Sequence, residues 1–281
     1  VTLPINEIVL GDNLSVIKDW PEDCIDLTVT SPPYDNLRIY KGFSWDFEVL
    51  AKQLFRVTKT GGVVVWVVGD ATINGSETGT SFKQALYFKE IGFNLHDTMI
   101  YQKPHLAFPD THRYYQAFEY MFIISKGSPK SYFPIKDKKN ITTGKVHGTE
   151  RQKDGSLRRM GGEGKEIKEF STRTNVWLMP NIRQGDDTIH PAVFPLRLAI
   201  DHIRSWSNPG DLILDPFMGS GTTAIAAIML RRRFIGIDIA QEYCDLAQDR
   251  VTRELNQPTI FDLADNKPHD RMFNGTLFEE E

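Results

Sequence analysis

Thr30-Ser31-Pro32-Pro33-Tyr34 closes an apolar run, Ile25–Thr30, with the composition of a buried strand. Two successive prolines remove two backbone N–H donors and fix the chain direction, leaving carbonyl oxygens turned outward. A serine acceptor, a carbonyl and an aromatic ring held together could clasp an amino group while the ring stacks on its carrier. The same residues also read as a rigid turn capping a strand, and the motif alone does not separate the two.

A second constellation, Leu214-Asp215-Pro216-Phe217-Met218-Gly219-Ser220-Gly221-Thr222-Thr223, lies between an apolar strand and a helical pattern. Gly219 and Gly221 let a ligand approach the backbone, and the helix that begins near Thr222 supplies free N–H groups. Asp238, 23 residues after Asp215, ends the next strand, where such folds hold ribose hydroxyls. Many strand-to-helix turns need glycine only for packing, but the pairing with Asp238 favours an adenosine-containing ligand. No lysine follows the glycines as a phosphate loop requires, which argues against a nucleoside triphosphate.

The elements that must position these motifs are legible as alternating strands and helices, which predicts a mostly parallel α/β sheet. Strands are expected at 25–30, 63–68, 96–102, 118–125, 212–214 and 234–238. Helices are expected at 47–57, 82–91, 191–207, 222–230 and 241–255. Between 126 and 180 the pattern dissolves into Gly, Lys, Ser and Thr. The tail from Asn256 is acidic but keeps Phe261, Phe273 and Phe278.

Over 281 residues the net charge is −4, yet residues 126–173 hold thirteen Lys/Arg against six Asp/Glu. That stretch is +7 and the remainder −11, as for a phosphate-facing segment on an acidic catalytic body or, equally, a solvated insert. No apolar run approaches a membrane span and the N-terminus lacks a signal-peptide layout, so a cytoplasmic protein is expected. Cys24 and Cys244 suggest neither a disulfide framework nor a metal site.

Taken together, Ser-Pro-Pro-Tyr and Asp-Pro-Phe-Met-Gly-Ser-Gly-Thr-Thr resemble the amino-methyltransferase family of DNA methylases, of N4-cytosine and N6-adenine types. Catalytic motif first and cofactor motif late resembles the permuted β group. Gly11-Asp12, Lys59-Thr60-Gly61-Gly62, Ser125-Lys126-Gly127 and His190-Pro191-Ala192-Val193-Phe194-Pro195 extend the likeness over most of the chain. The resemblance implies a doubly wound, mostly parallel, seven-stranded Rossmann-like sheet with an inserted target-recognition region. The expected divisions are a catalytic half at 1–125, the insert at 126–180, a cofactor half at 181–255 and a tail at 256–281.

It also implies S-adenosylmethionine as methyl donor and double-stranded DNA as substrate, and is compatible with a cognate restriction endonuclease, a homodimer and a bacterial, archaeal or phage-encoded intracellular protein. Ser31 and the Pro32 or Pro33 carbonyl would accept from the base amino group, and Tyr34 would stack on the flipped base through its ring, without need of its hydroxyl. Asp215 would face the methionine end of the cofactor, Asp238 the ribose and Asp12 the adenine, unless Asp12 is a helix cap. Phe217 either lines the pocket or packs in the core. Lys138, Lys139, Arg158 and Arg159 would meet DNA, whereas Asp35 and Arg38 read as a solvated loop. Ser31 favours N4-cytosine over N6-adenine. RNA or protein-glutamine methylation, or a non-methylating nucleotide-binding module, are the more distant readings. Ring-carbon methylation needs a Pro-Cys nucleophile, and the chain has no such dipeptide.

Overall fold

The computed structural model describes residues 2–35, 45–104, 112–179 and 195–256. Expectations placed on Arg38, on residues 190–194 and on the aromatic residues of the tail lie outside these. In chain order the strands are β1 (Glu7–Leu10), β2 (Ile25–Thr30), β3 (Thr58–Val68), β4 (Thr72–Ile73), β5 (Ser76–Glu77), β6 (Asn94–Gln102), β7 (Phe118–Ser125), β8 (Lys138–Lys139), β9 (Thr149–Arg151), β10 (Leu157–Arg159), β11 (Phe170–Ser171), β12 (Val176–Leu178), β13 (Leu212–Asp215) and β14 (Arg233–Asp238). The helices are α1 (Asn13–Ile17), α2 (Phe47–Val57), α3 (Thr80–Glu90), α4 (Leu196–Trp206), α5 (Thr222–Met229) and α6 (Gln241–Asn256).

The main sheet runs β1-β14-β13-β2-β3-β7-β6-β12. Among these strands only β7 opposes its neighbours, and every other pairing is parallel. Seven of them form the expected doubly wound sheet. The short β12 adds an eighth at the β6 edge, with Trp177 its one buried residue, too brief a strand to read from pattern.

Residues 63–68 of β3 are all buried, which requires cover on both faces. Val64, Trp66 and Val68 share one core with Leu50, Leu54 and Val57 of α2 and Ala85 and Phe88 of α3. Alternate residues turn to the other face. There the Sδ of Met121 on β7 lies 3.2 Å from His202 Nε2 of α4, and the Thr223 hydroxyl of α5 reaches the Val29 carbonyl of β2 at 3.3 Å. The chain therefore leaves β2 toward α2 on one face and leaves β13 toward α5 on the other. Since β2 and β13 are parallel neighbours, with Leu214 opposite Thr28, their carboxyl ends flank a topological switch point, where open α/β sheets leave a ligand crevice.

The chain divides into two compact units, 1–133 with 176–281, and 134–175. The smaller carries two short antiparallel pairs, β8 with β11 and β9 with β10. No helix among the described residues is long and apolar enough to cross a membrane.

Candidate active site

Every residue of β2 is buried, and the chain emerges only after Thr30. Pro32 stays buried, while Ser31, Pro33 and Tyr34 are half-buried at the strand end. The Tyr34 hydroxyl, assigned no role from the sequence, is engaged: it lies 2.8 Å from Ser31 Oγ. The same hydroxyl donates to Glu119 Oε2 at 3.2 Å, and Glu119 Oε1 is ion-paired with Lys103. Asp35, expected as solvated loop, is tied down: its carboxylate accepts from the Ala71 amide at 3.2 Å and from the Thr78 hydroxyl. Glu119 and Lys103 escaped sequence reasoning, although a lone acid at the second position of the apolar strand Phe118–Ser125 was a visible anomaly.

Asp215, expected at the methionine end of the cofactor, is 1% exposed and engaged inside the protein. Its carboxylate accepts from the hydroxyls of Thr30 and Thr223, each at 2.7 Å, and from the Phe217 amide at 3.1 Å. It thus ties the last residue of β2 to the first turn of α5, holding the two motifs in register.

The glycine turn is held from three sides. Gly219, at φ 53°, donates its N–H to Asp238 Oδ2 at 2.8 Å, and Asp238 Oδ1 accepts from the Ala240 amide at 2.9 Å. Arg250 of α6 donates to the Ser220 carbonyl at 2.6 Å and to its hydroxyl at 2.8 Å. From α1, Asn13 Nδ2 donates to the Pro216 carbonyl at 3.2 Å. Asp12 caps α1, accepting from the Ser15 amide at 2.9 Å, so the cap is the role the structure displays. Phe217 meets Trp45 edge-on at 5.0 Å.

Two buried polar atoms flank this turn without a hydrogen-bond partner among the described residues: Asn13 Oδ1 and Thr222 Oγ1. Buried polar atoms are nearly always satisfied, so this pair fits a turn that a polar ligand completes.

The DNA methylase family matches residues 25–249, and both motifs fall inside the match. The chain belongs to this family. The orphan methyltransferase M.BamHII of Bacillus amyloliquefaciens is 57% identical over 241 residues, covering 82% of this chain and 89% of that protein. Among solved structures, TTHA0409 of Thermus thermophilus complexed with S-adenosyl-L-methionine is 26% identical, with a TM-score of 0.60 over 89% of this chain and 94% of that one. The PvuII cytosine-N4-specific DNA methyltransferase, 22% identical, shares the fold with a TM-score of 0.64, over 88% of this chain and 90% of that one. The methylase is accordingly an S-adenosylmethionine-dependent enzyme acting on DNA.

In this methylase the basic side chains expected to meet DNA sit in unit 134–175. Lys138 and Lys139 are exposed on β8, and Arg158 and Arg159 on β10. Arg159 is ion-paired with Glu163 at 3.1 Å, and Arg158 stands opposite Glu150 in the strand register. Lys138 and Lys139 have no ion pair among the described residues, which makes them the better probes of a phosphate surface.

Burial pushes the Asp215 carboxyl of the methylase up to about 6, against the three hydrogen bonds that favour its ionised form. The folded state therefore holds a proton that the unfolded chain releases nearer pH 4. That contribution to stability is complete below about pH 4 and disappears as pH rises through about 6. Comparing unfolding free energies of the wild type and Asp215→Asn from pH 4 to 7 isolates it. The wild type is expected to lose stability relative to the variant across this window, and parallel curves would rule out the linkage.

Proposed function

We propose that this methyltransferase methylates the N4 amino group of a cytosine flipped out of duplex DNA, at the Ser31-Pro32-Pro33-Tyr34 turn. The observation that carries the proposal is the Thr30–Asp215–Thr223 tie, which sets the amino-clasping turn beside the glycine turn at neighbouring strand ends. Gly219, Gly221, Thr222 and Asp238 are assigned to the methyl donor, with Asn13 and the Phe217–Trp45 pair beside them. Each Asp238 oxygen that accepts a backbone amide keeps a further lone pair, enough for ribose hydroxyls. Asp215 serves the site indirectly, by alignment. S-adenosylmethionine, when bound, supplies a methyl group on a sulfonium, ready for direct transfer.

The amino nitrogen of a base is a poor nucleophile because its lone pair is delocalised into the ring. Ser31 Oγ and the Pro32 or Pro33 carbonyl, accepting its two N–H groups, favour the pyramidal geometry that exposes the lone pair. These hydrogen bonds strengthen as positive charge develops on nitrogen, so they stabilise the transition state more than the ground state. Stacking on Tyr34 offsets the unstacking of the flipped base. The serine at position 31 supports cytosine N4 over adenine N6. Nucleoside mass spectrometry of mixed-sequence DNA after reaction should find N4-methylcytosine, and N6-methyladenine alone would overturn that choice.

Unit 134–175 is assigned to DNA contact. Replacing Lys138 and Lys139 together with alanine should weaken binding for all sequences alike and flatten the dependence of log K on log salt by about 2, one for each lysine. Fluorescence anisotropy at several salt concentrations measures this, and an unchanged slope would remove both lysines from the phosphate surface.

A further inference from the structure

Lys103, Glu119, Tyr34 and Ser31 form one chain of polar contacts, and the protons available to each give it a direction. A lysine ammonium only donates and a carboxylate only accepts. Lys103 therefore donates to Glu119 Oε1, while Glu119 Oε2 takes the single hydroxyl proton of Tyr34 at 3.2 Å. With that proton given away, the 2.8 Å contact between Tyr34 and Ser31 is made by the Ser31 proton, and the Tyr34 oxygen accepts it. Ser31 Oγ is left with lone pairs alone toward the base.

We propose that Glu119 is a specificity-determining positioning residue, which aligns the Tyr34 and Ser31 hydroxyls so that Ser31 offers only an acceptor to the incoming base. A base edge bearing an amino group then finds its partner, whereas an edge bearing a carbonyl at the same place meets lone pair against lone pair. Leaving a desolvated polar atom unpaired in this way is how sites reject near-isosteric substrates. The charge on Glu119 thus acts through two hydroxyls on an atom it does not touch. The proposal deepens the assignment of Ser31 to the amino group and rests on it.

Glu119→Gln keeps the shape and reverses the logic. Lys103 engages the amide oxygen, the amide N–H faces Tyr34, and the Tyr34 proton turns to Ser31, whose own proton then turns toward the base. The test is single-turnover methylation of unmethylated genomic DNA with labelled S-adenosylmethionine, beside thermal melts and cofactor titration. Glu119→Gln should lower the rate about 10–100-fold, with melting and cofactor affinity retained. In a Tyr34→Phe background, where the chain is already cut, the same change should have no further effect. A folded Glu119→Gln enzyme at the wild-type rate overturns the proposal, and so does an equal loss in both backgrounds, which marks a merely structural role. Ser31→Ala measured alongside separates the two assignments. If Ser31→Ala is slow and Glu119→Gln is not, the role of Glu119 alone falls; if Ser31→Ala is at the wild-type rate, the assignment of Ser31 falls and this proposal with it. Should Glu119→Gln not fold, Tyr34→Phe interrupts the same chain: a slowed reaction with intact cofactor binding supports it, and an unimpaired one overturns it.

Discussion

Ser31→Ala is expected to lower the single-turnover methylation rate about 10²–10³-fold, the scale of losing one hydrogen bond that strengthens in the transition state. The substitution removes only a half-buried hydroxyl from the end of β2, so melting temperature should hold. Cofactor affinity should also hold, because the turn assigned to the methyl donor is organised by Asp238, Arg250 and Asn13 and not by Ser31. A strand-capping role without chemistry predicts the reverse, lowered stability with an intact rate. Tyr34→Ala should add a loss on the order of 1–3 kcal/mol in capture of the base, through lost stacking. A folded Ser31→Ala enzyme with wild-type kinetics would remove Ser31 from the reaction.

Gly221→Ala should destabilise the fold by about 2–5 kcal/mol, from two additive causes. Gly221 caps α5 with φ at 86°, a left-handed conformation that costs an alanine about 1–2 kcal/mol. Its new Cβ would also stand 2.9 Å from the Ala247 Cβ and 3.1 Å from the Ala247 Cα of α6, and overpacking of this kind costs about 1–3 kcal/mol. The neighbouring backbone cannot yield as a flexible side chain would. Since the same turn is assigned to the methyl donor, affinity for S-adenosylmethionine should fall with stability. Urea denaturation and calorimetry check both, and a variant within about 0.5 kcal/mol of wild type would mean that α6 moves freely, contrary to its packing here.

Element type was largely local information. α2 was readable because Phe47, Leu50, Leu54 and Val57 recur at helical spacing; the last three are buried, together with Ala51, and Phe47 is half-buried. β7 was readable as a run of apolar and aromatic residues, and the interior of β3 as six apolar residues that only a strand covered on both faces can bury. Where elements are short or half exposed the pattern fades. β1 has no fully buried residue, the pair β4 and β5 is exposed throughout, and β12 buries only Trp177.

The residues of both motifs and their order along the chain were likewise legible, because prolines and glycines constrain their own backbone and declare it locally. What those residues touch was not legible. Asp215 binds Thr30 across 185 positions and Tyr34 binds Glu119 across 85, and hydrogen bonds between distant segments leave no periodicity in either one. Gly221 had two local explanations, ligand approach and packing, and its contact with Ala247 came only with the docking of α6. The sequence by itself thus determined the longer elements and the two motifs to which the chemistry is assigned. The order of strands decided the rest, since placing β2 beside β13 set the two motifs together and made Asp215 a buried tie, and placing β7 beside β3 brought Glu119 to the Tyr34 hydroxyl.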